Sequence, residues 1–226
     1  MRFKFSLIIL MFTFPAFGQV KMDPSVPAGV RQQLTEDLEF VGTLQGRGTP
    51  ALFQEIFSSP ALNGAELLSF FNERVQLVNM DDCGGGPAVG ACVRPYVDPS
   101  VMWLTQNYVT FDIPRIFRLS VVFHEARHTE VTNDFWHHAT CPVPYRDESG
   151  NDIVGIISGT KMEGQAACDL TPYGSYGLQA VFLKTIEKTC SNCSDKVLMD
   201  AQLFGDDTLK RISDVNVRKS MRDALN

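Results

Sequence analysis

Basic residues and histidine are scarce in this chain, and both shortages narrow the functions to consider. The 226 residues include four His, with 20 Lys and Arg against 26 Asp and Glu, so the net charge is −6. Because the basic residues form no cluster, an acidic surface argues against binding to nucleic acid or to anionic membranes. Beyond residue 17 no apolar run is long enough to cross a bilayer, so we expect no stable membrane insertion.

The first 18 residues have the composition of a secretory signal peptide. A basic start precedes an apolar run over residues 5–17, and Ala16 and Gly18 provide the small side chains of a cleavage site. We expect cleavage after Gly18 and a secreted or periplasmic product. No cysteine follows that position, which argues against a lipoprotein. Residues 19–226 are long enough for a single domain with a sizeable core, and we expect a monomer.

All six cysteines follow the expected signal peptide, and an even number in an exported chain implies disulfide bonds. The sequence permits several connectivities, of which pairing between neighbours is the simplest. The spacing Cys190-x-x-Cys193 also suits a redox motif. Such a motif opens a helix after a strand, whereas this one closes a helical pattern, so we favour a structural role. The expected pairs are Cys83–Cys92, Cys141–Cys168 and Cys190–Cys193.

The strongest motif is His124-Glu125-x-x-His128, late in a helix expected to begin near Pro114. Two histidines four residues apart lie on one face of a helix, so they can bind the same metal ion. Glu125 projects about 100° round the helix, where it can act as general base on a water molecule without binding the metal. The alternative is a helix that carries these polar residues by chance. We favour a catalytic zinc site.

Hydrophobic periodicity predicts an α+β fold, with helical patterns on both sides of three β-rich stretches. Three consecutive glycines follow the first stretch, but the Lys-Ser/Thr of a phosphate-binding loop is missing, so we expect a disulfide-closed turn. We predict a small, mostly antiparallel sheet packed on the motif helix, with a C-terminal helical cover from about residue 194. Expected helices cover residues 27–41, 51–57, 61–74, the motif helix to 132–134, 163–170 and 173–188, and expected strands cover 75–78, 89–96 and 101–109.

A catalytic zinc site needs three protein ligands and a position for water, so the motif requires a third ligand from elsewhere. Asp134 lies ten residues after His124, the spacing of one zincin branch, but Val131 stands where that branch has glycine. Glu163 is expected to open a later helix, as in the thermolysin-like arrangement. Neither match is close.

Asp169 and His138 are two further candidates for the third ligand. A Cys141–Cys168 bridge would hold Asp169 near the end of the motif helix, and a buried carboxylate that faces two histidines needs a cation. Asp169 could instead cap a helix or pair with Arg127. His138 could be a ligand, a substrate contact or a hydrogen-bond donor behind the ligands, or could be exposed in its loop.

A resemblance favours Asp169. Three segments resemble a group of uncharacterised exported bacterial proteins classed as zinc metallopeptidases: His124-Glu-Ala-Arg-His128, His138-Ala-Thr-Cys141-Pro, and Ala167-Cys-Asp169 with Gly-Ser-Tyr176. Residues 115–193 are also similar to the aspzincins (deuterolysin and peptidyl-Lys metallopeptidases), in which an Asp of G-T-x-D-x-x-Y-G completes the site and the Tyr assists the tetrahedral intermediate. This implies that Asp169 binds zinc. The chain lacks the Gly-Thr, and Tyr173 is one residue too distant, so we expect Tyr176 in the tyrosine's role.

These observations predict a zincin-like, disulfide-braced domain that is a secreted zinc-dependent metallopeptidase acting on peptide or protein substrates. Two alternatives stay open: a non-catalytic exported metal-binding or interaction protein on the same fold, and a zinc amidase acting on cell-wall peptides. A purely structural zinc would prefer four protein ligands, often cysteines, so the sequence favours an enzyme. The expected site comprises a general base, Glu125, an oxyanion donor, Tyr176, and three ligands of one catalytic Zn²⁺, His124, His128 and Asp169.

Overall fold

The computed structural model describes residues 20–84 and 89–225, so the expected signal peptide lies outside the described part of the chain. The described part is α+β, as predicted. Its helices are α1 (Ala28–Thr43), α2 (Ala51–Phe57), α3 (Gly64–Arg74), α4 (Asn107–Thr110), α5 (Arg115–Arg127), α6 (Ser175–Thr189), α7 (Asp195–Leu209) and α8 (Val215–Leu225). Its strands are β1 (Lys21–Met22), β2 (Gln45–Gly46), β3 (Leu62–Asn63), β4 (Leu77–Met80), β5 (Ala91–Arg94) and β6 (Asp98–Leu104).

The larger sheet has four strands in the order β1-β4-β6-β5, and β2 pairs with β3 in a separate ribbon. Strands β1 and β6 both run parallel to β4, and β5 runs antiparallel to β6. The prediction of a mostly antiparallel sheet was therefore wrong, because the sheet is mixed. Parallel neighbours need a crossover connection, which helices α1 to α3 provide between β1 and β4. Strand patterns in a sequence carry no sign of direction, so this pairing was not predictable from them.

Helix α5 carries the His-Glu-x-x-His motif and packs in the main core. Its residues Leu119, Val122 and Phe123 are fully buried, at the three- and four-residue spacing of one helical face. Because neighbouring elements cover most of α5, His124 and Glu125 near its end are also buried, with 5% and 8% of their surface exposed. The ring of Phe123 lies within 6.2 Å, between centroids, of four other phenylalanine rings: Phe57, Phe70, Phe71 and Phe182.

A buried carboxylate ties the first turn of α5 to α1. Asp37 of α1 is fully buried and accepts two hydrogen bonds from the guanidinium of Arg118, each 3.0 Å long. The hydroxyl of Tyr108 donates a third bond of 2.9 Å to the same carboxylate. Since these donors satisfy the buried charge, the contact fixes the start of the motif helix against the N-terminal helices.

Two helix predictions near the site were wrong: the end of the motif helix, and a helix over residues 163–170. Helix α5 ends at Arg127 rather than at residues 132–134, and a short 3₁₀ turn follows over Val131–Trp136. Residues 163–170, predicted as helical, form turns and isolated bridges, and the helix begins only at Ser175. The backbone of Cys168 instead pairs with Ala139, with hydrogen bonds of 2.6 and 3.1 Å in the two directions. This long-range pairing outweighs the local helical pattern.

The cysteine pairing was predicted correctly. Cys83–Cys92, Cys141–Cys168 and Cys190–Cys193 are all bonded. The second of these bonds joins the loop after α5 to the segment before α6, so it closes the region that carries both His138 and Asp169. Helices α7 and α8 form the expected C-terminal cover and pack against α6. Within residues 20–84 and 89–225, no helix is long and apolar enough to cross a membrane.

Candidate metal centre

Three histidines bring their Nε2 atoms together at the end of α5. The Nε2 atom of His128 lies 3.2 Å from that of His124 and 3.2 Å from that of His138. One nitrogen from each of the three rings lies within 4.8 Å of the other two, so the group could hold a metal ion. Two nitrogens that bind one tetrahedral zinc ion at about 2.0–2.1 Å are about 3.4 Å apart. The observed separations fit that geometry.

The outer nitrogens of two rings show which atoms carry the protons. Nδ1 of His128 donates to the carbonyl oxygen of Phe135 over 2.8 Å, and Nδ1 of His138 donates to the carboxylate of Asp169 over 2.9 Å. Since these oxygens only accept, each neutral ring carries its proton on Nδ1 and presents a lone pair at Nε2. Such outer contacts are typical of histidines that bind metal ions.

Electrostatics around the three rings also suit a cation. Burial, followed by the nearby His128, holds the pKa of His124 well below its usual range. Burial likewise lowers the pKa of His128 to about 4, with a smaller contribution from His138. The rings of His124 and His128 are therefore neutral at neutral pH, so each can present a lone pair to a positive ion.

The structure brings His138, rather than Asp169, to the two motif histidines. Asp169 lies behind His138, and one of its carboxylate oxygens accepts a hydrogen bond from Nδ1 of His138. The other oxygen accepts the backbone N–H groups of Tyr176, at 2.7 Å, and Gly177, at 3.2 Å, and so caps α6. The expectation that Asp169 is the third ligand is replaced by His138. The expected proximity of Asp169 to the site holds, but its carboxylate contacts His138 and lies outside the group that could hold a metal ion.

The remaining candidates for the third ligand lie away from the histidines. Asp134 has 86% of its side chain exposed and its nearest ionic partner is His137, at 3.5 Å. Glu163 is a partly exposed carboxylate that lies 4.0 Å from the amine of Lys161. Neither belongs to the group of side chains that could hold a metal ion.

His138 reaches the site because the chain turns sharply after α5. Asp134, Phe135 and Trp136 have φ angles of 53°, 54° and 49°, a left-handed conformation that costs side-chain-bearing residues about 1–3 kcal/mol each. Glu130 stabilises this turn. Its carboxylate accepts a hydrogen bond of 2.6 Å from Arg127 and one of 3.0 Å from the indole of Trp136. Arg127, considered above as a partner of Asp169, therefore pairs with Glu130.

Glu125 and Tyr176 stand beside the histidines and line one cavity of about 210 Å³. Burial raises the pKa of Glu125 to about 8. The ring of Tyr176 lies 4.4 Å, between centroids, from the rings of both His124 and His138. Tyr173 is directed elsewhere, since its hydroxyl donates to Glu55 over 2.8 Å. The cavity therefore brings Glu125 and Tyr176 together beside His124.

Several residues that line this cavity were not predicted from the sequence. Arg211 and Gln179 line it together with Ile156 and Ile157 from the loop before α6. These residues come from distant parts of the chain, and no motif marks them. Only the packing of α6 and α7 on α5 brings them to Glu125.

Comparison with protein-family models, with curated proteins and with solved structures gives no match for this chain. The resemblance to exported zinc metallopeptidases and to aspzincins therefore remains an expectation from the motif residues. The geometry of the site carries the functional argument.

Proposed function

We propose that this protein is an exported zinc-dependent hydrolase that cleaves peptide bonds, built on a zincin-like fold. The observation that carries the proposal is the meeting of three imidazoles, from His124, His128 and His138, beside the buried carboxyl of Glu125. Three protein ligands and one open position are typical of catalytic zinc, whereas structural zinc is bound by four. Three disulfide bonds support export, because such bonds persist in oxidising compartments.

Glu125 is the proposed proton carrier. A zinc ion held by the three histidines would act as a Lewis acid and lower the pKa of a water molecule. Glu125 lines the cavity beside His124 but lies outside the imidazole group, and its carboxylate accepts a hydrogen bond from the backbone of Val93. Burial raises the pKa of this carboxyl to about 8, and the positive charge of a bound zinc ion would lower it again, so the carboxylate would accept a proton at neutral pH. Glu125 would take the proton from the attacking water and pass it to the leaving amine.

Tyr176 is the proposed donor to the carbonyl oxygen of the substrate. Its ring packs against His124 and His138, and its side chain lines the cavity. Burial raises the pKa of its hydroxyl above the ordinary value, so the hydroxyl keeps its proton at neutral pH. A neutral hydroxyl can donate a hydrogen bond to the carbonyl oxygen as negative charge develops there.

Strand β5 offers a binding edge for an extended peptide. It is the last strand of the four-stranded sheet in the described chain, and Ala91 of β5 lines the cavity together with Gly90 and Glu125. A peptide that adds to this edge as a further strand would gain main-chain hydrogen bonds. It would then pass Glu125 in an extended conformation, which exposes each peptide bond to the site.

The first test is the Glu125→Gln variant of the mature chain, incubated with a peptide library and with peptidoglycan. Hydrolysis should fall by about 100-fold or more, while the zinc content measured by mass spectrometry stays at the wild-type value, because Glu125 is not a ligand. His124→Ala is the matched variant and should lose zinc and hydrolysis together. An active Glu125→Gln variant would exclude this mechanism. Cleavage of peptidoglycan but not of peptides would identify an amidase instead.

A further inference from the structure

The cavity beside Glu125 contains an arginine without a carboxylate partner. The guanidinium carbon of Arg211 lies 4.5 Å from the centre of the Tyr176 ring, and Nη1 lies 3.4 Å from the carbonyl oxygen of Ala167. Within residues 20–84 and 89–225, no carboxylate comes within ion-pair distance of this side chain. Asp207 lines the same cavity, but its carboxylate lies 3.4 Å from the amine of Lys210.

Other sheltered arginines in this protein are paired. Arg118, Arg127 and Arg218 each contact a carboxylate, at distances between 2.6 and 3.2 Å. Their side chains are 12% exposed or less, and a guanidinium withdrawn from water needs such partners. Arg211 is also partly buried, so the absence of a carboxylate partner sets it apart from these three.

The rest of the cavity wall is mostly apolar. Phe117 and Val121 of α5 face the cavity from one side, and Ile156 and Ile157 face it from the loop before α6. A volume of about 210 Å³ is below that of a typical drug-sized pocket and suits one amino-acid residue. Such a wall binds a hydrocarbon side chain, while a fixed guanidinium binds a carboxylate through paired N–H groups.

We propose that this cavity binds a carboxylate-bearing residue of the substrate next to the cleaved bond, with Arg211 as the anion-binding group. The proposal rests on the proposed peptide hydrolysis for the position of that residue. Two sources could supply the carboxylate: the free C-terminus of a peptide, or the side chain of an internal Asp or Glu. A C-terminal residue with a hydrocarbon side chain would use both the apolar wall and the guanidinium.

The binding test needs no catalysis. N-acetyl-leucine and N-acetyl-leucinamide differ only in the carboxylate, and their affinities for the zinc-loaded mature chain can be compared by calorimetry. The acid should bind roughly 10- to 100-fold more tightly than the amide, the range for hydrogen bonds to charged groups. In Arg211→Gln this difference should disappear, whereas Arg211→Lys should keep part of it. Arg222→Gln, which removes an arginine away from the cavity, should match the wild type.

The Arg211→Gln variant also separates binding at Arg211 from binding of the carboxylate to zinc. If N-acetyl-leucine binds that variant more tightly than N-acetyl-leucinamide by the same factor as in the wild type, the proposal is wrong. Equal binding of acid and amide by the wild-type chain would also overturn it. Arg211→Lys guards against misfolding of Arg211→Gln, because it preserves the charge and most of the side-chain volume.

Peptide substrates then distinguish the two sources of the carboxylate. If Arg211 binds a C-terminus, peptides with a free terminal carboxylate should lose their last residue faster than their amidated forms. If it binds a side chain, an internal Glu should direct cleavage and Gln in its place should not. Hydrolysis of peptides with neither preference would overturn the inference and leave the proposed function intact. Arg211-dependent binding of N-acetyl-leucine without hydrolysis of any peptide would overturn the function and leave the inference.

Discussion

At the scale of single residues, the three site histidines differ in what contacts their Nδ1 atoms. Nδ1 of His128 donates to a backbone carbonyl, and that of His138 donates to a carboxylate. Nδ1 of His124 is buried and has no hydrogen-bond partner within the described residues. A charged acceptor makes the opposite ring nitrogen more basic than a neutral one does. His138, with Asp169 behind it, should therefore be the strongest electron donor of the three.

This difference predicts a graded loss of zinc. His138→Ala removes a ligand and should lose most of the bound metal, whereas Asp169→Asn keeps the ligand and should weaken zinc binding by about 10- to 100-fold. Competition with a zinc-selective chelator measures both values. Glu163→Gln is the control, since this residue lies outside the site. Full zinc binding by His138→Ala together with complete loss in Asp169→Asn would return the ligand role to Asp169.

Burial of His128 predicts how the metal-free protein responds to acid. Its pKa falls to about 4 in the folded chain, against about 6.5 when unfolded. Between these values the unfolded chain binds more protons, so the free energy of unfolding should fall as the pH drops from about 6.5 to 4. Glu125 changes the free energy of unfolding in the opposite direction as the pH drops, because burial raises its pKa to about 8 and the folded chain then binds the extra proton.

The comparison with a variant isolates the contribution of His128. Urea titrations of chelator-treated wild type and His128→Gln at several pH values should show a flatter acid dependence in the variant. Glu125 is present in both proteins, so its effect cancels in the difference. Val131→Ala is the control, since Val131 is 52% exposed and its substitution removes no titratable group, so the slope should stay unchanged. Parallel curves for wild type and His128→Gln would contradict the assigned burial effect.

At the scale of helices and strands, periodicity predicted most elements. Helix α2 has the predicted bounds, and the bounds of α1 and α6 differ from the predicted ones by one or two residues, because their apolar residues recur every three or four positions. The parallel pairing of β4 with β6 was not predictable, since β5 lies between them in the chain but beyond β6 in the sheet, and neither strand's pattern shows that order. The helix predicted over residues 163–170 failed because long-range pairing around Cys168 replaced the local hydrogen bonds.

The site was only half predictable for the same reason. His124, Glu125 and His128 lie on one helix, so their spacing specifies their relative positions. His138 reaches them through a turn of three residues in the left-handed backbone conformation, which residues other than glycine rarely adopt. Asp169 was placed near the site by the disulfide argument, but the direction of its carboxylate depends on the N-terminus of α6. No sequence pattern specifies that direction.

The turn after α5 predicts an effect of Glu130 on the site. Its carboxylate, with 13% of the side chain exposed, holds Arg74, Arg127 and Trp136 together. Glu130→Ala should lower the free energy of unfolding by about 3 kcal/mol or more, because it removes the closest carboxylate from two sheltered guanidinium groups. Zinc affinity should fall too, since the turn carries the carbonyl that contacts His128.

The matched control for this turn is Asp134→Asn. Asp134 lies in the same turn, but its side chain is 86% exposed and Asn tolerates the left-handed conformation, so the substitution should change stability by less than about 0.5 kcal/mol. Chemical denaturation and chelator competition on both variants measure the two effects. Unchanged zinc affinity in Glu130→Ala would show that the turn holds its shape without this carboxylate.

At the scale of the whole molecule, the N-terminal and C-terminal helices of the described chain both pack on α5. Helices α1, α2 and α3 contribute Val30, Leu34, Phe57 and Phe71 to the same buried cluster that receives Leu178, Phe182 and Leu209 from α6 and α7. A smaller cluster around the Cys141–Cys168 bond lies apart from it. One core joins the N-terminal and C-terminal helices. We therefore expect a loss of packing on α5 to displace the site histidines.

Phe123 lies at the centre of that shared core, next to His124 in the chain, and it provides the test of a single folding unit. It is fully buried among phenylalanines of α2, α3 and α6. Phe123→Ala should lower the free energy of unfolding by about 3–5 kcal/mol through the lost burial and the cavity left behind. Unfolding should stay one cooperative transition at a lower denaturant midpoint, because the helices share this core. Leu203→Ala, at a 54% exposed position, should shift the midpoint little. Two separate transitions in Phe123→Ala, one retaining bound zinc, would show that the chain folds as two units.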